Sequence, residues 1–468
     1  MNTYPLSHRW EPLVDTALFE RMSNTSQVLH HPERREVVFQ GDAPWEDDVL
    51  GFNSVFVDGS VVRLYYRAAI PDRTNEDLNI TAMAESTDGG LSFSRPNLGL
   101  VTFEHSRRNN ILHIGEPPFA PPPAFIDTNP DCPPHQRYKG LSARWQKLFA
   151  MTSPDGLRWQ PLSSDPLKMD GTFDTINTAF WDSIRGCYCC YTRYFENLTP
   201  DKGFDDVLGA QPSVMRAIQS STSTDFLDWS PVVHNHYKDD DTTTQLYTNS
   251  TIPCPGAEQI MLAFPNRYVQ QRITRPSHPY PGVNDALFMS SRDGVTWQRW
   301  LEAWVRPGLD DLNWTERNNY PTWGIVKTSP HEWSIYISEH YRHPGQFVRL
   351  RRLSIRPFGF VSIHAGADPG EILTSPLLFN GDQLDLNFST SAAGWLQVEI
   401  QDAAGQPIES LRMAEMVPVF GDTLCREVHW KTETSLARFI GVPIRLRFRL
   451  QDADLYAFRF SDRSHIIG

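Results

Sequence analysis

Ser86-Thr-Asp88-Gly-Gly-Leu-Ser-Phe93 is the first of four copies of one short motif in this chain of 468 residues. The other copies read Ser153-Pro-Asp155-Gly-Leu-Arg-Trp159, Ser223-Thr-Asp225-Phe-Leu-Asp-Trp229 and Ser291-Arg-Asp293-Gly-Val-Thr-Trp297. Their aspartates are 67, 70 and 68 residues apart. Repetition at an almost fixed period is typical of repeat architectures, so this motif decides the fold class before any other feature.

Each copy has the composition of a tight turn. A serine and, two residues later, an aspartate can bond nearby backbone N–H groups. Glycine supplies the positive φ that such a turn needs, and an aromatic residue then begins a strand. The third copy departs from the pattern because Phe226 stands where glycine is expected. The motif resembles the Asp box of sialidases and related β-propellers, which caps the hairpin between the two outer strands of a blade.

Between the boxes, the sequence predicts strands joined by hairpins. Residues 55–57 and 61–66 flank Asp58-Gly59, which is a strong hairpin signal. Residues 178–181 pair in the same way with 187–191, and residues 325–326 pair with 333–337. The inner strands are expected to begin near Asn53, Tyr138, Asn177, Asn249 and Asn319. The prediction is therefore a five-bladed β-propeller over residues 1–366.

The period stops after about residue 366, and a different pattern follows. Residues 384–388, 395–400 and 444–450 alternate apolar and polar side chains, which is typical of an antiparallel sheet exposed on one face. The prediction for residues 367–468 is a β-sandwich. The whole fold is thus expected to be all-β, with a propeller followed by a C-terminal sandwich. This layout resembles that of the invertase and inulinase group of glycosidases.

Composition narrows the function class. The net charge of −13 argues against a nucleic-acid interface, and no run of 18 apolar residues predicts a membrane span. The N-terminus lacks the features of a signal peptide, so a cytoplasmic protein is expected, although a trimmed secreted chain would look the same. The six cysteines show no disulfide framework and are more typical of buried thiols than of metal ligands. No metal or other cofactor is expected.

The predicted topology points to candidate catalytic residues. Residues before the first strand of a blade and at the end of its second strand should meet at the central mouth, with the boxes on the opposite face. Three carboxylates in such positions are Asp174, Glu339 and Glu46. Two carboxyl groups flanking a glycosidic bond are enough for hydrolysis. Each of the three could equally be a surface or turn-capping carboxylate.

Several arginines occupy similar positions and predict an anionic ligand. Arginine is well shaped to hold carboxylate, sulfate or phosphate, so the set would suit an acidic sugar or phosphate as a nucleophile. The alternative is that these arginines pair with neighbouring aspartates and glutamates. The substrate-binding candidates are Arg67, Arg193, Arg267, Arg317, Arg342, His340, Asn53, Asn177 and Trp45. His340 could also act as a general acid or base, or be structural.

The chain is similar to the propeller glycosidases that include fructan hydrolases, arabinanases and mannoside phosphorylases. Its segments Pro44-Trp-Glu46, Phe173-Asp174 and Ser338-Glu-His-Tyr-Arg-His343 resemble a bacterial subgroup, but this resemblance brings no reaction with it. The fructan-hydrolase signatures Asn-Asp-Pro-Asn, Arg-Asp-Pro and Glu-Cys are absent. Nucleophile and acid roles therefore cannot be carried over to individual residues.

The resemblance implies a glycoside hydrolase that cleaves an oligosaccharide, with acidic and furanosidic sugars as candidates. Two alternatives stay open: a glycoside phosphorylase of the same superfamily, and a non-catalytic glycan-binding propeller. The expected partner is the oligosaccharide, with no nucleic acid and no membrane. The sugar, the stereochemical outcome and the oligomeric state do not follow from the sequence.

Overall fold

The computed structural model describes residues 3–46, 49–69, 79–115, 121, 123–144, 146–197, 214–278, 280–343 and 345–462. Within these residues, helical structure is limited to five 3₁₀ turns of three residues, at Pro134–Gln136, Asp311–Asn313, Glu409–Leu411, Met413–Glu415 and Ala437–Phe439. None of the helices in this part of the chain is long and apolar enough to cross a membrane. The rest of the regular structure consists of strands, which confirms the all-β class.

The chain divides into two compact units, whose boundaries differ from the predicted ones. The larger unit comprises Pro32–Cys254 and Glu258–Ile355. The smaller unit comprises Met1–His31, Pro255–Ala257 and Arg356–Gly468. The predicted division at residue 366 therefore misplaced the first 31 residues, because their strands pair with strands of the C-terminal region.

Four four-stranded antiparallel sheets and one larger sheet build the larger unit. Sheet 1 consists of β6 (Gly51–Asp58), β7 (Val61–Ala69), β8 (Asn79–Ser86) and β9 (Ile111–Gly115). Sheet 2 consists of β10 (Ala124–Ile126), β11 (Tyr138–Arg144), β12 (Lys147–Ser153) and β13 (Gln160–Pro161). Sheet 3 consists of β14 (Thr178–Asp182), β15 (Cys187–Glu196), β16 (Met215–Ser223) and β17 (Val233–His234).

Sheet 4 has seven strands, and sheet 5 joins strands from distant parts of the sequence. Sheet 4 consists of β18 (His236–Tyr237), β19 (Gln245–Leu246), β20 (Ile252–Cys254), β21 (Ala257–Ala263), β22 (Asn266–Val269), β23 (Val283–Ser291) and β24 (Thr296–Val305). Sheet 5 consists of β25 (Val326–Ser329), β26 (Glu332–Glu339), β27 (Arg349–Ile355) and β5 (Glu33–Gln40). The N-terminal strand β5 thus completes the last sheet.

The four Ser-x-Asp turns form one repeated hydrogen-bond pattern. Each serine ends a strand, namely β8, β12, β16 or β23. Its Oγ donates to the aspartate Oδ1 at 2.6–3.0 Å and accepts a backbone N–H. The same Oδ1 accepts two further backbone N–H groups at 2.6–3.0 Å. Sheet 5 cannot carry this turn, because β27 and β5 are not consecutive in the sequence.

The exceptional Phe226 keeps the backbone conformation that glycine has in the other turns. Its φ is 70°, which is unfavourable for a residue with a Cβ by about 1–2 kcal/mol. The ring is fully buried and packs against Phe125, Tyr188 and Trp229, with centroids 5.1–5.8 Å apart. Burial of a large aromatic side chain offsets the backbone strain.

Neighbouring sheets meet through these turns. Tyr65 of sheet 1 donates to the Gly156 carbonyl in the turn of sheet 2 at 2.8 Å. Tyr191 of sheet 3 donates to the Gly294 carbonyl in the turn of sheet 4 at 3.0 Å. Tyr336 of sheet 5 donates to Gly90 in the turn of sheet 1 at 2.8 Å. Because the last sheet contacts the first, the sheets have a propeller-like arrangement.

The turn aspartates are expected to contribute measurably to stability. Burial would raise the pKa of Asp293, but hydrogen bonds from Thr296, Val295 and Ser291 lower it. Replacing Asp293 by alanine should lower the free energy of unfolding by about 1 kcal/mol at neutral pH, since two backbone N–H groups and the Ser291 hydroxyl lose a charged acceptor. Because the pKa of Asp293 is lowered in the folded state, its carboxylate stabilises the fold above about pH 4 and no longer does so in acid. The difference in unfolding free energy between wild type and Asp293→Ala should therefore shrink as the pH falls.

Denaturant unfolding of the variant and of Asp165→Ala measures this effect. Asp165 is exposed, and its carboxylate accepts no hydrogen bond within the described part of the chain, so its replacement should change stability by less than about 0.5 kcal/mol. Equal effects of the two substitutions would show that the turn hydrogen bonds do not stabilise the sheets.

The smaller unit contains one hydrogen-bonded network of ten strands. Its members are β1 (Tyr4–Pro5), β2 (Glu11–Pro12), β3 (Phe19–Ser23), β4 (Ser26–Leu29), β28 (Val361–Ala365), β29 (Gly370–Thr374), β30 (Leu377–Leu378), β31 (Gln383–Asp402), β32 (Asp422–Glu427) and β33 (Ile444–Ser461). The predicted segments 384–388 and 395–400 form a single long strand, β31, with an irregularity between Thr390 and Trp395. Strands β31 and β33 pair along most of their length and carry the core of this unit.

Candidate functional site

Tyr247, which follows β19, lies among three arginines from different parts of the larger unit. The guanidinium carbons of Arg216, Arg193 and Arg317 are 5.1, 5.4 and 5.7 Å from the centroid of its ring. Arg317 also donates to the Tyr247 hydroxyl at 3.0 Å. Cations over an aromatic face are attracted by its quadrupole, so the ring stabilises this concentration of positive charge.

Two more arginines extend this group. Burial lowers the pKa of Arg67, and the like charges of Arg317 and Arg342 lower it further. Arg342 lies over the ring of Tyr341 at 5.4 Å. We refer below to the arginine–tyrosine cluster, which consists of Arg67, Arg193, Arg216, Arg317 and Arg342 with Tyr247, Tyr268, Tyr320 and Tyr341.

The cluster lies at the opposite end of the strands from the repeated turns. Arg216 is near the start of β16 and Ser223, the turn serine, is its last residue. Arg67 and Arg193 are near the ends of the second strands β7 and β15. Residues of sheets 1, 3 and 4 and of the segments that flank the strands of sheet 5 therefore meet at one end of the larger unit.

Four of the five arginines keep a buried donor without a partner. The Nε atoms of Arg67, Arg193, Arg216 and Arg342 are buried and make no hydrogen bond to the described residues. An unsatisfied buried donor costs about 1–3 kcal/mol, more when it is charged. Buried donors of this kind are usually satisfied by a bound water, an ion or a ligand.

Two carboxylates adjoin the cluster. Asp174 pairs with Arg193 through one oxygen, and its side chain is 41% exposed. Glu316 is buried and contacts Arg317 at 3.1 Å and Arg342 at 3.4 Å. The cluster therefore contains three more arginines than neighbouring carboxylates, and this excess favours an anionic ligand.

The excess positive charge acts on Tyr247. Burial alone would raise its pKa, but Arg317, Arg193 and Arg216 outweigh this effect and bring the pKa below its ordinary value. The neighbouring Tyr268 shows the opposite result, because burial raises its pKa to about 12. Burial likewise raises the pKa of Tyr320, so of Tyr247, Tyr268 and Tyr320 only Tyr247 has a lowered pKa.

Five of the predicted site residues come together here and seven do not. The cluster and its carboxylates include Asp174, Arg67, Arg193, Arg317 and Arg342. The other predicted residues contact groups outside the cluster; they are Glu46, Glu339, Arg267, His340, Asn53, Asn177 and Trp45. Asp47 and Asp48, which accompany Glu46 in the sequence, lie outside the described residues.

Glu46 is buried and fully occupied by hydrogen bonds. It accepts from Tyr66 at 2.5 Å, from Arg95 at 2.5 and 2.9 Å, and from the Ala43 N–H at 3.0 Å. Tyr66 and Arg67 are adjacent on β7, so their side chains point to opposite faces of the sheet. Glu46 therefore stabilises the other face of sheet 1, and the expected convergence with Asp174 is not observed.

The substitution Glu46→Gln distinguishes a structural role of Glu46 from a role in the site. Glu46→Gln removes the buried carboxylate between Tyr66 and Arg95 and leaves Arg95 with only the half-exposed Asp42 as counter-charge. We therefore expect a loss of about 2–4 kcal/mol in the free energy of unfolding and unchanged binding of acidic ligands at the cluster. Thermal unfolding and calorimetric titration with glucuronic acid measure the two quantities. A variant with normal stability and abolished ligand binding would show that Glu46 takes part in ligand binding.

Glu339 is also held in a structural network. Its carboxylate accepts from Arg34, from Arg349 at 2.8 Å and from Arg351 at 2.9 Å, and its side chain is 1% exposed. Three arginines satisfy both oxygens, so Glu339 is not presented to the cluster. The neighbouring His340 lies 2.7 Å from Asp310, which also pairs with Arg349.

The remaining predicted residues have local partners. Arg267 forms a bidentate pair with Asp285 on the adjacent strand, as the alternative reading of the arginines allowed. Trp45 donates to Asn110 at 3.0 Å. Asn177 donates to two carbonyls of its own loop, at Phe173 and Thr175, and Asn53 contacts Ser338 at 3.4 Å.

Sequence reasoning missed Arg216, Tyr247 and Glu316. It considered the starts of first strands and the ends of second strands, whereas Arg216 opens a third strand and Tyr247 follows a short additional strand, β19. Glu316 directly precedes the predicted Arg317 in the sequence. The signal that could have found Tyr247 is its position two residues before Asn249, a predicted strand start.

Groups of three or more metal-ligating residues were not found in the described part of the chain. Neither a protein-family model nor a curated protein matches this sequence. Solved structures do resemble it. An N-acetylgalactosamine deacetylase from F. plautii, in complex with blood group B trisaccharide, is 12% identical with a TM-score of 0.46 over 72% of this chain and 97% of that chain.

Glycoside hydrolases are also among the structural neighbours. A glycosyl hydrolase from Bacteroides ovatus is 13% identical with a TM-score of 0.42, over 75% of this chain and 97% of that one. A thermostable family-43 glycoside hydrolase is 12% identical with a TM-score of 0.44, over 70% and 95% of the two chains. The scores of these neighbours are too low to assign an activity, which has to come from the site itself.

Proposed function

We propose that the protein is a glycoside hydrolase that cleaves an oligosaccharide carrying an anionic group, with the arginine–tyrosine cluster as its substrate site. The observation that carries this proposal is the excess of arginines at the cluster, together with four buried Nε donors that have no partner in the described residues. A carboxylate or sulfate on a sugar would satisfy several of these donors at once.

We also propose that the larger unit is a five-bladed propeller and that the smaller unit is a sandwich. Sheet 4, although it has seven strands, would be the fourth of five blades, because its turn occupies the same position as those of sheets 1–3. Sheet 5 would close the ring with β5. The ten-stranded network of the smaller unit would be folded as a sandwich, with β31 and β33 long enough to contribute to both layers.

Hydrolysis also requires a proton donor for the leaving oxygen. We assign this role to Asp174, because its side chain is partly exposed and its second oxygen, which is not bonded to Arg193, is the one that would carry the proton. Glu316 is more deeply buried and is bound by two arginines, which suits it to position Arg317 and Arg342. The reaction consumes water and requires no metal or organic cofactor.

Phosphorolysis is the second candidate function, and the same arginine excess favours it. A phosphate ion could occupy the unpartnered donors and attack the sugar in place of water. A glycan-binding protein without catalytic activity is the third possibility, and the two carboxylates beside the cluster argue against it.

Product release from a panel of neutral and acidic oligosaccharides, with and without phosphate, tests the proposal. Wild type is compared with Asp174→Asn and with Asp165→Asn, an exposed carboxylate outside the cluster. We expect phosphate-independent release from acidic members, lost in Asp174→Asn and kept in Asp165→Asn. Phosphate-dependent release would establish the phosphorylase. Binding without release by all three proteins would contradict enzymatic function.

A further inference from the structure

We propose that the smaller unit carries a second saccharide site, which binds an acidic sugar unit of the glycan. The site is a surface cavity of about 440 Å³ beside β31 and β33, called the Trp395 cavity below. Ligand pockets commonly have volumes of about 300–1,000 Å³, so a sugar ring fits. The choice of a saccharide as the ligand rests on the proposed function. The lining consists of residues 392–394, Trp395, Gln397, Pro418, Phe420 and Arg449.

Alternation along the two strands places this lining on the outer face of the sheet. In the strand register, Trp395 and Gln397 on β31 lie opposite Gln451 and Arg449 on β33. The residues between them point to the other face and are fully buried in the core of the unit; they are Leu396, Val398, Phe448 and Leu450. The lining side chains therefore do not belong to the hydrophobic core.

Hydrogen bonds fix the walls of the Trp395 cavity before a ligand binds. The Trp395 indole N–H donates to the Gln451 side chain at 3.0 Å. Leu396 and Val419 exchange two backbone hydrogen bonds of 2.9 Å, so the segment that carries Phe420 is held against β31. A pre-formed site loses less conformational entropy on binding than one whose walls must first be ordered.

Two aromatic side chains give the cavity an apolar surface that suits a sugar ring. Trp395 is partly exposed, and Phe420 is 66% exposed despite its size. The C–H groups on one face of a pyranose ring pack against the electron-rich face of an aromatic ring, and the sugar hydroxyls stay available for hydrogen bonds. Exposed apolar groups that line a cavity are typical of binding sites.

Arg449 supplies the charge that favours an acidic sugar. Its guanidinium carbon lies 5.6 Å from the centroid of the Trp395 ring, and it forms no hydrogen bond or ion pair with the described residues. Glu371 lies opposite Arg449 on the neighbouring strand, but its carboxylate is bonded to Arg21 and Arg447. The guanidinium is therefore available to a carboxylate or sulfate of the ligand.

The rest of the lining does not oppose an anion. Among the described residues that line the Trp395 cavity, Arg449 is the only charged one, and none has a carboxylate. An anionic group next to Arg449 would therefore meet no like charge from the lining. The cavity combines an aromatic surface with a single cation, which suits a uronic or sulfated sugar better than a neutral one.

Hydrogen–deuterium exchange with mass spectrometry locates the binding without requiring turnover. The intact protein is titrated with trigalacturonic acid and, for comparison, with neutral maltotriose. We expect trigalacturonic acid to slow exchange in residues 392–397 and 416–421, and maltotriose at equal concentration to slow it much less. Unchanged exchange in these segments would overturn the inference, whether or not the cluster segments are protected. Equal protection by the two sugars would overturn the role of charge.

Substitutions identify the side chains that bind. Arg449→Ala and Phe420→Ala remove exposed groups, so both proteins should fold, which thermal unfolding checks. We expect each to weaken the titrated protection at least about tenfold. Arg426→Ala and Val417→Ala are the controls, since they remove an exposed arginine and an exposed apolar group of the same unit outside the lining. Equal binding by all four variants would overturn the inference.

Two further measurements separate the remaining explanations. Sedimentation shows whether a second copy of the chain occupies this face instead. A wild-type dimer that Phe420→Ala dissociates, without any protection by saccharide, would overturn the inference. Hydrolysis of short acidic oligosaccharides should be unchanged in Arg449→Ala. Absence of hydrolysis in every protein, with protection of the Trp395 cavity retained, would overturn the proposed function and support the second site.

Discussion

Replacing Glu339 by alanine is expected to lower the free energy of unfolding by about 3–5 kcal/mol. The carboxylate is buried in sheet 5 and holds Arg34, Arg349 and Arg351 together. Its removal leaves Arg34 and Arg351 without a carboxylate partner in the described residues and Arg349 with Asp310 alone. This is a larger penalty than the loss of a single hydrogen bond. Equilibrium unfolding in urea measures the change.

A matched substitution shows whether burial is the cause. Glu302 pairs with Arg306 at 3.0 Å on the surface, with both side chains more than half exposed. Since exposed ion pairs contribute about 0–1 kcal/mol, Glu302→Ala should have little effect. A Glu339→Ala protein as stable as Glu302→Ala, but without product release, would instead support the catalytic role that the sequence predicted for Glu339.

Replacing Arg67 by methionine is expected to weaken binding of acidic ligands at least about 30-fold and to leave the protein as stable as wild type or more so. Arg67 has no carboxylate partner in the described part of the chain, and its pKa is lowered by burial and by Arg317 and Arg342. Methionine fills a similar space without charge, so it removes repulsion within the ligand-free cluster. Opposite changes in stability and binding are typical of residues that serve a ligand.

Calorimetric titration with glucuronic acid and inorganic sulfate, together with thermal unfolding, measures both changes. Arg306→Met is the control, because Arg306 is a surface arginine outside the cluster and pairs with Glu302. It should bind both ligands normally. A destabilised Arg67→Met protein with normal binding would mean that Arg67 is structural, which would weaken the case for an anionic substrate.

The repeated turns allowed the strand pattern to be predicted, because short-range chemistry defines them. Serine, aspartate and glycine at fixed spacing specify the turn locally, and Phe226 keeps its conformation even without glycine. The unit boundary was wrong because it depends on pairing between strands at opposite ends of the chain. No local signal at β5 indicates that its partner, β27, is about 300 residues away.

Asp174 and four arginines of the site were predicted from the sequence, whereas the structural roles of Glu46 and Glu339 were not. Arg67 and Arg193 lie near the ends of the second strands β7 and β15. Strand direction alone brings them to the same end of the larger unit, so their positions could be predicted. Whether a carboxylate is available depends on its neighbours in space. Arg267 forms an ion pair with Asp285, Glu339 with Arg34, and Glu46 with Arg95. These pairings join distant segments and cannot be read from spacing.

Strand β5 has a consequence for synthesis on the ribosome. Glu36 of β5 contacts Arg352, which is 316 positions later. At ordinary elongation rates, β5 is made on the order of half a minute before its partner strand emerges. An unpaired strand edge invites association with other nascent chains. The sequence Glu33-Arg-Arg-Glu36 places four charges at the start of β5, and such charges protect an adjoining apolar segment during this interval.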